Sequence, residues 1–104
     1  MTNETNIISI NLTFKNTNAT DALRSYAEEK IEACLRKFIK KNTEVNLVLS
    51  VEKHRQIADI DFSADGGSFK NSAESDDMYK SIDALVDSLT NQLRKHKEKQ
   101  TKHS

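Results

Sequence analysis

Two runs of cations are the residues of this chain best placed to do chemistry, and that chemistry is phosphate binding. Arg36, Lys37, Lys40 and Lys41 have no acid among them, and Arg94, Lys95, Lys97, Lys99 and Lys102 face Glu98 alone. Each phosphate neutralised by such a side chain releases counterions, so runs of this kind grip polyanions with an affinity that falls as salt rises. Cations at a helix C-terminus also answer the macrodipole, at about 0.3–1 kcal/mol each, but the second run is denser than that role requires. In the first run, Glu28, Glu29 and Glu32 lie close enough to pair with the lysines, and a solvated helix face explains it as well as a binding surface does. Lys53, His54 and Arg55 make a third, shorter basic group.

Other chemistries are poorly served. Asp59 and Asp61 alternate along one strand face and form a candidate carboxylate pair, although an exposed polar face is the commoner origin of that pattern. His54, His96 and His103 lack nearby partners at metal-ligand spacing, and Cys34 falls on the apolar side of its helix, where core packing outweighs nucleophilicity. Gly66-Gly67 lacks the flanking residues of a nucleotide-binding loop. No catalytic residue, metal or cofactor is expected. Aromatic residues are 6% of the chain and sit mostly at core-periodic positions, so RNA would be read by shape and phosphate.

The 104 residues suit one domain, 1–104, with about 95–104 as a frayed basic tail. Hydrophobic residues make up 36% and charged residues 31%, with no Pro and two Gly, a soluble composition without visible linkers. Lys plus Arg equals Asp plus Glu at 16 each, so any pull on a polyanion comes from segregation of charge. From Asp59 to Asp77, six acids (Asp59, Asp61, Asp65, Glu74, Asp76, Asp77) oppose Lys70 alone. A single cysteine argues for a reducing compartment. Neither a signal peptide nor a membrane span is visible, and the cytoplasm is the expected location.

The elements that must position these residues follow from periodicity. Ile8, Ile10, Leu12 and Phe14 alternate with polar residues as a half-buried strand. Thr20 caps a helix in which Leu23, Tyr26, Ala27, Ile31, Cys34, Leu35 and Phe38 recur at helical spacing to about Lys41, where Asn42 takes a left-handed conformation. On this helix Lys30, Lys37 and Lys41 form a row. Val45, Leu47, Leu49 and Val51 make a second strand, and Ala58, Ile60, Phe62 and Ala64 a third. Asp65-Gly66-Gly67 then signals a hairpin into a fourth strand over about Ser68–Ala73. Ser75 caps a final helix to Lys102, with Met78, Ile82, Leu85, Val86, Leu89 and Leu93 as its buried stripe. The order β-α-β-β-β-α predicts an α+β fold with both helices on one face of a four-stranded sheet. The basic helix ends and the Lys53-His54-Arg55 loop are expected to share one surface.

Thr20-Asp21-Ala22-Leu23-Arg24, Lys30, Val51-Glu52-Lys53, Asp77-Met78-Tyr79, Ile82-Asp83 with Leu85, and Gln92-Leu93 with Lys95-His96-Lys97 carry a resemblance over nearly the whole chain. The chain resembles the ribosome hibernation promoting factor and ribosome-associated inhibitor family, in its short form. The resemblance implies a non-enzymatic protein that binds the small ribosomal subunit in the mRNA and tRNA channel, blocks the A and P sites and silences translation under stress or in stationary phase. It implies rRNA contacts by Arg24, Lys30, Lys53, Lys95 and Lys97. Charge and position add Arg36, Lys37, Lys40, Lys41, His54, Arg55, Arg94 and Lys99. It implies a monomer off the ribosome, with no membrane partner, acting beside a separate ribosome modulation factor when ribosomes pair. Phe14, where relatives often have glycine, and Ala33, in place of a frequent lysine, depart from the pattern. Two other readings compete: a protein-interaction module using the acidic 59–77 zone, and a double-stranded RNA-binding domain. The latter should meet phosphate with a basic helix start, and here that start is Ser75-Asp76-Asp77.

Overall fold

The computed structural model describes the backbone of residues 7–64 and 66–102 and the side chains of 7–64 and 66–98. Its elements are β1 (Ile8–Lys15), α1 (Asp21–Phe38), β2 (Thr43–Glu52), β3 (Arg55–Ala64), β4 (Gly67–Ser75) and α2 (Met78–Lys102). The four strands form one sheet in the order β1-β2-β3-β4, with β1 and β2 parallel and the remaining pairs antiparallel. A parallel pair needs a crossover, and α1 supplies it. The α+β architecture and element order match the sequence-based expectation.

Strand alternation sorts the side chains. Ile8, Val45, Leu47, Leu49, Ala58, Ile60, Phe62 and Phe69 are buried toward the helices, where they meet Leu23, Ala27, Ile31, Cys34 and Leu35 of α1 and Met78, Ile82, Leu85, Leu89 and Leu93 of α2. Both helices therefore cover one sheet face. The opposite face is polar, and Asn11, Asn46 and Asp61 are linked across three strands by hydrogen bonds of 3.4 and 3.2 Å.

Helix boundaries differ from the periodicity in instructive ways. Thr20 caps α1 as expected, its Oγ1 accepting from the Leu23 N–H at 3.1 Å. The helix stops at Phe38, three residues before Lys41, because Ile39 turns extended (φ −109, ψ 123) and buries its side chain to 2% exposure. Asn42 is not left-handed; its side chain accepts from the Ile7 N–H at 2.8 Å, while positive φ falls on Asn16, Lys53 and Gly66. Ser75 does not cap α2. It closes a strand that runs two residues beyond Ala73, and Asp77 caps the helix by accepting from the Tyr79 N–H at 2.9 Å.

Two-residue connections join β2 to β3, where Glu52 pairs with Arg55, and β3 to β4, where Ala64 pairs with Gly67. The second is the expected hairpin; Gly66 supplies its φ of 78, and Asp65 lies outside the described residues. In the first, Lys53 holds φ 59, a conformation that costs a residue with a Cβ roughly 1 kcal/mol.

Candidate functional site

Topology decides which cations meet. α1 runs back from the end of β1 to the start of β2, and α2 runs back along β4, so the two helices are parallel. Their contacts advance in step: Tyr26 meets Tyr79 and Asp83, and Cys34 Sγ lies 3.3 Å from Thr90 Oγ1. Both C-terminal ends consequently emerge at the same end of the sheet, where β2 and β4 begin. There His96 packs edge-on against Phe69 with ring centroids 5.1 Å apart.

This end collects Arg36, Lys37, Lys40 and Lys41 from α1 and its exit, with Arg94, Lys95 and Lys97 from α2. All but Arg36 are exposed. Arg36 is held by Glu32, with Nε at 2.9 Å and Nη2 at 2.7 Å, and Lys40 donates to the Arg36 carbonyl at 3.2 Å, covering a C-terminal acceptor of α1. Lys41 lies past the helix, so the row formed with Lys30 and Lys37 is broken there by the turn at Ile39. Lys37, Lys41, Arg94 and Lys95 form no ion pair among the described residues. Two helix C-termini bring partial negative charge totalling about one unit, well short of seven cations. The Lys99 side chain and all of His103 lie outside the described residues.

The remaining candidates are placed elsewhere. Gln56 pairs with Ser75, immediately ahead of α2, so the Lys53-His54-Arg55 group sits at the end where the helices begin. With strands of nine to ten residues, that is roughly 30 Å from the basic end, and one shared surface is not formed. Arg55 is held by Glu74 and Glu52, its Nη1 3.5 Å from the latter; the Glu74 hydrogen bond raises the guanidinium above its ordinary pKa and holds the Glu74 carboxyl below its own. Arg24 lies over the Phe14 ring at 5.4 Å and 4.0 Å from Glu28, and Lys30 lies over the Tyr26 ring at 5.5 Å.

The candidate acids and the thiol lie on opposite sides of the sheet. Asp59 and Asp61 are exposed on the open sheet face, Asp61 accepting from Asn46. Cys34 is buried to 3% exposure, and that burial pushes its thiol pKa up, away from the reactive thiolate. Among the described residues no His, Cys, Asp and Glu cluster could hold a metal.

Periodicity did not single out the tyrosine cluster between the helices. Tyr26 and Tyr79 meet edge to face at 4.9 Å and 70°, Tyr26 donates to Asp83, and Tyr79 is 40% exposed. The signal available was their position: both tyrosines stand at the margins of their apolar stripes.

The family model described as Sigma 54 modulation protein / S30EA ribosomal protein matches residues 10–101. A ribosome hibernation promoting factor from Klebsiella oxytoca is 41% identical over 96 residues, 92% of this chain and 100% of that relative. One from Azotobacter vinelandii is 41% identical over 93 residues, 89% and 86% of the two chains. Among solved structures, a ribosomal subunit interface protein from Coxiella burnetii superposes with TM-score 0.78 at 30% identity, covering 86% of this chain and 98% of that one. The N-terminal domain of Protein Y from Thermus thermophilus superposes with TM-score 0.75 at 28% identity, covering 85% and 98%.

Proposed function

Because the chain belongs to the Sigma 54 modulation protein / S30EA ribosomal protein family, we propose that it is a ribosome hibernation factor that acts by binding, without turnover. The domain binds the small ribosomal subunit in the cytoplasm, fills the channel used by mRNA and tRNA, and blocks the A and P sites. The observation that carries the reading is the convergence of two parallel helix C-termini on one end of the sheet. This gathers Lys37, Lys40, Lys41, Arg94, Lys95 and Lys97 into a single exposed cationic end. Such an end neutralises several closely spaced phosphates at once, as folded rRNA presents them. A ribosome modulation factor is its expected partner when silenced ribosomes pair, and off the ribosome the domain is a monomer.

The start of α2 argues against a double-stranded RNA-binding domain, since Asp76 and the capping Asp77 place negative charge where phosphate would have to sit.

Co-sedimentation with purified small subunits tests the proposal. Binding should saturate, weaken steeply between low and moderate salt, and compete with mRNA or initiator tRNA. Binding that leaves mRNA and initiator tRNA in place would sink the channel-blocking mechanism.

A further inference from the structure

The contact between the helices holds side chains that the cationic end does not use. We propose that Tyr79 is a stacking platform for an unpaired nucleobase of single-stranded RNA, braced by Tyr26, with Asp83 accepting from the base edge and Lys30 beside the adjoining phosphate. The inference rests on RNA being the partner, as proposed above, and adds a base-reading site to phosphate contacts.

Among the described residues only Ile7 and Tyr79 are large hydrophobic side chains left exposed, and Tyr79 alone of the two lies on a helix. Its hydroxyl makes no hydrogen bond among the described residues, so the exposed ring is not explained by a polar tether. Tyr26 holds it from the side at 4.9 Å, an edge-to-face arrangement that fixes ring orientation. Tyr26 is itself fixed by donating its hydroxyl to Asp83 Oδ1, and this hydrogen bond is the leading cause of its raised pKa. A pre-oriented ring of this kind stacks any base at low entropic cost, because every base has a π-face.

Asp76 and the capping Asp77 keep phosphate away from the first turn of α2, so the charges that meet the ligand are those between the helices, Asp83 and Lys30. Asp83 has a second carboxylate oxygen with no hydrogen bond among the described residues, an acceptor suited to the amino or imino groups of an unpaired base. Lys30 occupies the face of Tyr26 at 5.5 Å and pairs with no carboxylate among the described residues. A basic polypeptide would find the cation position over that ring already taken and would be repelled. A nucleotide satisfies both groups, offering donors to Asp83 and phosphate to Lys30.

The test uses the whole protein and three probes: decaadenylate, inorganic polyphosphate of matched charge, and decalysine. The Tyr79 ring protons, resolved by NMR, should move upfield with decaadenylate and stay in place with polyphosphate. Tyr79→Ala should weaken binding to decaadenylate and to small subunits by roughly five- to hundredfold, while Tyr79→Phe, which keeps the ring, stays near wild type. If Tyr79→Ala binds subunits as tightly as wild type and no ring shift occurs, the stacking site is overturned while ribosome binding stands. Ring shifts with decalysine and none with decaadenylate would also overturn it, in favour of a basic polypeptide. If wild type shows the ring shift but fails to sediment with subunits, the stacking site stands and the ribosomal assignment falls.

Discussion

Arg55 and Glu74 hold one another across β3 and β4, with the guanidinium Nε 3.0 Å from one carboxylate oxygen and Nη2 on the other. Two parallel hydrogen bonds lock the guanidinium onto that carboxylate, and Glu52 adds a second acid at 3.5 Å. A cation committed in this way has little charge left for phosphate. Arg55→Gln is therefore expected to change small-subunit binding less than about twofold, whereas Glu74→Gln frees the guanidinium and tightens binding by up to about fivefold at low salt. The pair also carries a pH signature. Its folded state holds Glu74 below the ordinary value of 4.5, so the contribution is fully present above pH 4.5 and is lost as pH falls through the lower folded value. Thermal melts of wild type and Glu74→Gln from pH 6 to 3 should differ most at the upper end and converge at the lower.

Charge reversal at the cationic end should act on salt dependence as well as affinity. Lys95→Glu with Lys97→Glu removes two candidate phosphate contacts from α2 near its negative dipole end. The slope of log K against log salt for subunit binding should fall by about 1.5, at roughly 0.7–0.9 per lost contact. An unchanged slope would move the phosphate contacts elsewhere on the molecule.

Lys53 separates fold from charge. At φ 59 its Cβ is strained, and Lys53→Gly relieves about 1 kcal/mol while adding a similar entropic cost in the unfolded chain. The melting temperature should move by only a few degrees. Subunit binding should weaken if Lys53 meets rRNA, and the loop's distance from the cationic end makes that loss additive with the α2 reversal. Affinities of the single and combined variants measure both.

How much of this was legible in the sequence depended on whether one interaction or several set the outcome. Burial of one face dictates strand alternation, so β1, β2 and β3 and the α2 stripe from Met78 to Leu93 read directly. β4 is marked by its hairpin rather than by alternation, because Asn71 points toward α2, where it donates to Gln92 at 3.1 Å and accepts from Ser88 at 3.1 Å. A satisfied inward amide breaks the apolar period that marks a strand. Helical periodicity carries α1 past Ile39, because a β-branched residue leaving a helix extended carries no local stop signal. The cations were visible as runs, but their grouping depends on strand order. Composition and spacing do not say that β2 carries Lys53–Arg55 to the far end of the sheet, or that Glu74 lies within reach of Arg55.

The first turn of α2 is pinned to the sheet by a residue that its apolar stripe does not include. Ser81 is fully buried, and its hydroxyl lies 2.6 Å from the Gln56 carbonyl, 2.8 Å from Ser75 Oγ and 3.2 Å from the Asp77 carbonyl. With one proton to give, it donates to Gln56, the shortest contact, while the Ser75 hydroxyl donates to the Asp77 carbonyl at 2.7 Å. Ser81→Ala deletes the bond between helix and strand and leaves the Gln56 carbonyl short of a donor. The expected cost is about 1–3 kcal/mol. In a chain of this length each kcal/mol lowers the melting temperature by roughly 4–8 °C. Urea unfolding should show a lower midpoint with an unchanged slope, since the surface exposed on unfolding is the same. Small-subunit binding at 25 °C should survive, because the cationic end lies at the opposite end of α2. A Ser81→Ala protein that keeps its stability would mean that Gln56 finds another donor and that the apolar stripe alone anchors the helix.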